Sequence, residues 1–150
     1  MGADCTLGFI MPTVHLDAES IAERQLLAAL QLAATENWIP AITLAGAAEE
    51  ILGKRLRKLG RPPSFDSMKA AVLEIAKQAG GDEPGLEKDI ADLINLTKNE
   101  LKHYSGDELI EFDLEQDGVE ILERAIANYE MLTGTVLPEM LQFWSKQSET

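Results

Sequence analysis

Cysteine, histidine and aromatic rings are scarce in this 150-residue chain, and each shortage closes off a class of protein. A lone cysteine, Cys5, excludes an internal disulfide framework and a thiolate zinc cluster, so a reducing, cytoplasmic setting is expected. The two histidines, His15 and His103, lie too far apart in sequence to suggest a histidine-rich metal site; no metal and no cofactor is expected. Aromatic residues make up only 5% of the chain, which points to a core of Ala, Leu and Ile and hence to helices. β-Branched residues are sparse, and nothing alternates with strand period except Leu109-Ile110-Glu111-Phe112, a brief segment best treated as loop. Continuous apolar runs are short of the ~18 residues that a membrane span needs. Leu7-Gly8-Phe9-Ile10-Met11 is preceded by Asp4 and by no basic residue, so a signal peptide is not expected either.

Positive charge is scarce too. The net charge is −13 and is unevenly placed: residues 1–61 hold six basic and seven acidic side chains, residues 62–150 seven basic and nineteen acidic. Such a surface repels phosphate backbones, which makes duplex DNA a poor candidate partner. The basic cluster Lys54, Arg55, Arg57, Lys58 and Arg61 is explained by the carbonyl end of a helix, which attracts cations. A nucleic-acid groove is the alternative, but that segment has no aromatic residue on which a base could stack. From Gly106 to Glu123 there are eight carboxylates and no basic residue. Asp113 to Gly118 mimics the opening of a calcium loop, yet Glu120 and Arg124 stand where such a loop needs an apolar residue and a terminal glutamate. A capped helix start explains Asp113 and Gln116 better.

What the chain has in plenty is helical punctuation. Asp17 caps a first helix over about residues 18–35, with Ile21, Ala22, Leu26, Ala29, Leu30 and Ala33 at helical spacing. A second helix begins at Trp38-Ile39-Pro40, runs to Leu59 and is stopped by Gly60 and Pro62-Pro63. Its first half, Ala41 to Ala48, is apolar on all sides and contains Gly46, which predicts a central helix closely approached by its neighbours. Ser64 is a candidate cap for a third helix with a Phe65, Met68, Val72, Ile75, Ala79 stripe. Pro84 opens a fourth that continues to about His103, with Leu86, Ile90, Leu93 and Leu101 on its inner side. Asp113 introduces a fifth helix closed by Gly134, and Thr135 to Trp144 makes a short last one. The expected fold is therefore all-α: a single-domain bundle of five longer helices and a short C-terminal helix over residues 15–144, with an N-terminal arm at 1–14 and a frayed end at 145–150.

Chemistry is hinted at in one place, Lys98-Asn99-Glu100-Leu101-Lys102-His103. At 100° per residue, Asp92, Asn95, Asn99 and His103 fall opposite the Leu86, Ile90, Leu93, Leu101 stripe and so point away from the subunit's own core. Either that face is simply solvated, or it meets a symmetry mate and lines a shared cleft. Metal-independent RNA cleavage needs a base, a cation and a polar orienting group; His103, Lys98 or Lys102, and Asn99 supply these types. Glu49 and Glu50 follow the apolar half of the second helix, so one of them should be partly buried, with Lys102 or His103 as partner.

The segment 98–103 resembles the arginine, polar residue and histidine motif of the HEPN superfamily, with Lys98 at the arginine position, Asn99 at the polar one and His103 at the histidine. That superfamily comprises all-helical, usually dimeric proteins, among them RNA-cleaving toxins and non-catalytic nucleotide binders. Lysine in place of arginine cannot grip phosphate bidentately, although it still attracts it. From His15 to about Trp144 the layout is also similar to an uncharacterised family of small bacterial helical proteins. The landmarks are Leu16-Asp17, Leu44 to Ile51, Lys102-His103 before an acidic loop, Phe112-Asp113, Leu132-Thr133-Gly134 and Pro138-Glu139-Met140. Together these resemblances imply a HEPN-like fold and a homodimer. The leading expectation is an interaction or ligand-binding protein without catalysis, with Lys102, Asn95 and Glu50 as binding residues. The alternatives are a metal-independent ribonuclease using His103, Lys98 and Asn99, and an acidic protein that neutralises a basic partner; a protein, a nucleotide or RNA all stand as partners.

Overall fold

The computed structural model describes residues 12–104, 106 and 109–149; most of the expected N-terminal arm lies outside them. Seven helices follow in order: α1 (Ala18–Ala34), α2 (Trp38–Lys58), α3 (Ser64–Gln78), α4 (Leu86–Ile94), α5 (Leu96–His103), α6 (Leu114–Thr133) and α7 (Pro138–Ser148). No strand occurs among the described residues, and 109–112 is loop.

Caps account for most of the boundaries. Asp17 accepts a 2.7 Å hydrogen bond from the Ser20 amide at the start of α1, and Asp113 does the same for Gln116 at 3.1 Å at the start of α6. The Gln116 side chain donates through Nε2 to Glu120 Oε1 at 3.1 Å, one turn further on. Gly134, with φ of 68°, closes α6 in the left-handed conformation that glycine tolerates. Ser64 does not cap α3. It is the first helical residue, and its amide donates to Asn128 Oδ1 on α6 at 2.8 Å, so a fully buried side chain from a distant helix satisfies that end.

Helix α2 is the hub. It packs between α1, joined to it by a short turn and therefore antiparallel, and α6, with α5 laid across it. Contacts between α2 and α6 advance in the same direction along both: Trp38 meets Gly118, Gly46 meets Ile121, and Glu49 meets Arg124. The two helices are therefore parallel. Ala22, Leu26, Ala29, Ala41, Ile42, Ala45, Ala48, Leu52, Leu122, Ala125 and Ile126 fill the space between the three, and Tyr129 and Met140 close it off. Small alanines at the contacts let the backbones approach closely. Tyr129 donates to Glu23 at 2.8 Å, and burial together with that carboxylate pushes its phenol up to about 12.

Three expectations are corrected by this architecture. The single helix over 84–103 is two helices, because Asn95 (φ −95°, ψ 3°) ends α4 and opens α5; asparagine is a poor helix former whose side chain competes for the backbone. The inner side also differs from the expected one: Leu93 is 69% exposed, with Ile90 and Ile94 facing inward in its place, while Lys98 is buried. Second, the α3 stripe is covered only at its start, where Phe65 and Met68 are half-buried. No residue of α3 is buried, and Val72 and Ile75 are exposed, since α3 pairs mainly with α4 at the edge of the bundle. Third, the last helix starts at Pro138 and continues to Ser148, so most of the expected frayed end is helical.

Two glycines on α2 and α6 mark close approaches. A Cβ on Gly46 would strike the Lys98 side chain, and one on Gly118 would strike the Trp38 ring. The lysine stem can shift, whereas the indole, wedged against the core, cannot. Gly118→Ala is therefore expected to lower stability by ~1–3 kcal/mol and Gly46→Ala by less, with Gly46→Leu among the most damaging single changes. Thermal melts of the three variants check the order.

Candidate ligand-binding site

The side chains singled out around residues 98–103 divide into two groups. Lys98 and His103 are five residues apart on one helix, roughly 140° around it. Asn99, Lys102 and His103 are exposed on the outer side, whereas Lys98 points inward. Its stem crosses α2 over Gly46, and its ammonium donates to Glu50 Oε1 at 3.1 Å. Asn95, expected on the outer face, is half-buried at the α4–α5 joint. The structure therefore brings together Glu50, Asn95 and Lys98, and does not place Lys98 beside His103.

Glu49 is the more deeply buried of the two adjacent glutamates, and its partner is Arg124 of α6 rather than Lys102 or His103. Arg124 Nε donates to Glu49 Oε1 at 2.8 Å and Nη2 to Oε2 at 3.4 Å, a forked grip that desolvated ions require. Beside them Asn128 donates to the Glu49 carbonyl at 3.4 Å. Glu50, one residue later and so about 100° round the helix, serves α5 instead. Burial pushes the Glu50 carboxyl up, but the Lys98 hydrogen bond and charge, with Lys102 and Lys54 adding to them, outweigh that and hold it below its ordinary value of 4.5.

These groups border a cavity of about 120 Å³, walled by Glu49, Glu50, Gly53, Asn95, Lys98 and Asn128, with Lys54, Arg57, Pro63 and Phe65 around it. Arg57 is held by Asp66 through two bonds of 2.9 and 2.7 Å. Asn95 Oδ1 is withdrawn from solvent yet has no donor among the described residues. A buried amide oxygen left in that state costs about 1–3 kcal/mol. Larger hollows lie between α3 and α4 at about 870 Å³, between α1 and α7 at about 760 Å³, and on the other side of Lys98 at about 220 Å³, where Thr97, Asp117 and Arg124 line the wall. The cavity was hidden from a sequence reading by the Asn95 turn; the available signal was Lys98 at four-residue steps from Ile90 and Ile94, on the inner line of the helix.

The remaining expectations fall into place around this site. Asp117 accepts a 2.6 Å bond from Thr97 and so ties α6 to α5, and Asp113 caps. His15 is exposed ahead of α1. No described helix is long and apolar enough to cross a membrane. No protein-family model, no curated protein and no solved structure matches this chain.

Arg124→Met leaves Glu49 buried and unpaired and is expected to cost ~3–5 kcal/mol, most of it recovered in Glu49→Leu/Arg124→Met, which removes both charges. Urea unfolding of the three variants checks this. Glu50 contributes stability that is complete above its ordinary value of 4.5 and is lost as pH falls through and below it, because its folded pKa is depressed. Between about pH 5 and 3, Glu50→Gln should lose stability less steeply than the parent.

Proposed function

We propose that this chain is a cytoplasmic, non-catalytic ligand-binding protein that works as a homodimer, and that the cavity at the α2, α5 and α6 junction takes a small polar molecule. The observation that carries this reading is the buried Lys98 ammonium at a cavity shared with Glu50, Asn95 and Asn128 and large enough for several waters or one small ligand. The inward turn of Lys98 supports a binder over a nuclease. Its charge is spent on Glu50, and a catalytic cation has to lie where His103 and a scissile phosphate can both reach it. Dimerisation is supported by apolar side chains left uncovered at the bundle's edge, Val72 and Ile75 on α3 and Leu93 on α4, for which a second copy is the commonest cover.

The test is a polar fragment screen read by amide NMR. Shifts confined to Gly53, Asn95, Lys98 and Asn128 support the reading, and no shift at any of the four across the library overturns it. Sedimentation should give about twice 16.4 kDa, falling to 16.4 kDa in Ile75→Asp/Leu93→Asp. The ribonuclease is the second reading, favoured by Asn99 and His103 lying exposed one helical turn apart. Metal-free RNA cleavage that disappears in His103→Ala, with the fold intact, would establish it in place of the first.

A further inference from the structure

Away from the Lys98 cavity, the hollow of about 760 Å³ between α1 and α7 has a floor and a rim of different character. The floor is apolar, built from Leu27 and Leu30 of α1, the half-buried Trp38 indole and the buried Phe143 ring of α7. At the rim stands Glu36, in the turn between α1 and α2, with φ of 60°; among the described residues it is the one non-glycine in the left-handed region. The Glu36 amide donates to the Ala33 carbonyl at 3.0 Å and the Asn37 amide to the Leu32 carbonyl at 2.9 Å, so residue 36 takes the place where glycine ordinarily follows a helix. A side chain there is strained, and a carboxylate there meets the negative end of the helix dipole. In return the Glu36 side chain makes no hydrogen bond or ion pair among the described residues. Glu115 stands at the same end, because the Trp38 ring lies on Gly118 of α6 and Glu115 precedes Gly118 by about one turn. Over the whole rim, Glu36, Glu115 and Glu139 face only Arg24 and Lys146, and Arg24 lies about 18 Å from Glu36 along α1.

We infer that this hollow is a second binding site, independent of the Lys98 cavity, and that it takes an amine carried on an aromatic or branched apolar body, the ammonium between Glu36 and Glu115 and the body against Leu27, Trp38 and Phe143. Its volume is that of an ordinary small-molecule site, in which apolar walls supply affinity and a few charged groups fix orientation. The charge selects the class: an ammonium meets two carboxylates that have no ion-pair partner among the described residues, whereas an acid of the same shape meets a rim with an excess of negative charge. Backbone strain that nothing local rewards, at the edge of a pocket, marks Glu36 as placed for a ligand rather than for the turn.

The experiment is a ¹H–¹⁵N NMR titration of the full chain with 4-phenylbutylamine, 4-phenylbutan-1-ol and 4-phenylbutanoate, three compounds of one shape and different charge, repeated on Glu36→Gly and Glu115→Gln. Saturable shifts at Leu27, Phe143 and the Trp38 indole N–H are expected with the amine, about fivefold weaker binding of the alcohol, and weaker binding still of the acid, because exposed ion pairs contribute modestly. In either variant the advantage of the amine should fall to about twofold while the alcohol binds as before. Glu36→Gly should also melt about 2–4 °C above the parent, since glycine takes the left-handed conformation without strain. Equal affinity of the parent for amine and alcohol, or the full advantage of the amine retained in both variants, overturns the inference. Tightest binding of the acid overturns the ligand class, and silence of the three residues to every compound overturns the site. Glu36→Gly melting below the parent overturns the role given to Glu36, whose side chain then serves the turn.

Discussion

Much of the structure depends on one contact, the Lys98 stem lying across Gly46 with its ammonium on Glu50. Withdrawing an ammonium from water costs several kcal/mol unless a carboxylate meets it, so α5 has to sit where Glu50 can reach. It can sit there only because residue 46 has no side chain, and because Glu50 follows Gly46 by one turn of α2, on the same face. The neighbouring carboxylate, Glu49, is rotated away by the helix and meets Arg124. Two adjacent glutamates thus bind two different helices to α2, which is why this short segment sets the position of both α5 and α6.

Buried ion pairs are weak evidence for stability, since apolar replacements of the same size often do as well. Their effect is on register. Along the α2–α6 contact, alanines and leucines tolerate sliding by a turn, but Glu49 on Arg124, Asn128 on the Ser64 amide and Gly118 under Trp38 are satisfied in one alignment only. A slipped α6 leaves a charge, an amide and an indole without a place at the same time. The bundle is apolar in bulk and polar in its addressing.

Helix ends were legible in the sequence because caps are local: Asp17, Asp113, Gly60 and Gly134 act within a few residues of themselves. What was not legible depended on partners far along the chain. Asn128 reaches across 64 residues to serve the start of α3, a partner that no local pattern around Ser64 reveals. Asn95 reads as one more polar residue on a solvated face but is half-buried at the helix joint, and Leu93 is exposed because the inner line of α4 runs through Leu86, Ile90 and Ile94. The burial of a carboxylate in Glu49-Glu50 was readable from the apolar half-helix before it, but its partner was not. Lys102 and His103 were nearer the exposed motif, whereas Lys98 and Arg124 lie on the inner lines of their helices.

The same geometry divides the residue types of the 98–103 motif between the inside and the outside of the bundle. A helix cannot turn Lys98 toward Glu50 and also toward the phosphate beside His103, because the two directions differ by roughly 140°. Had residue 98 been arginine, its longer, forked guanidinium would have had to bend over Gly46 or leave the interior; lysine's slim stem and single charged tip fit the crossing. Packing against α2 withdraws the Lys98 cation from the outer face. Outside, Asn99 and His103 stand in a chain whose excess carboxylates oppose a polyanion. Inside, the lysine's charge is met by Glu50 and fixes α5 on α2.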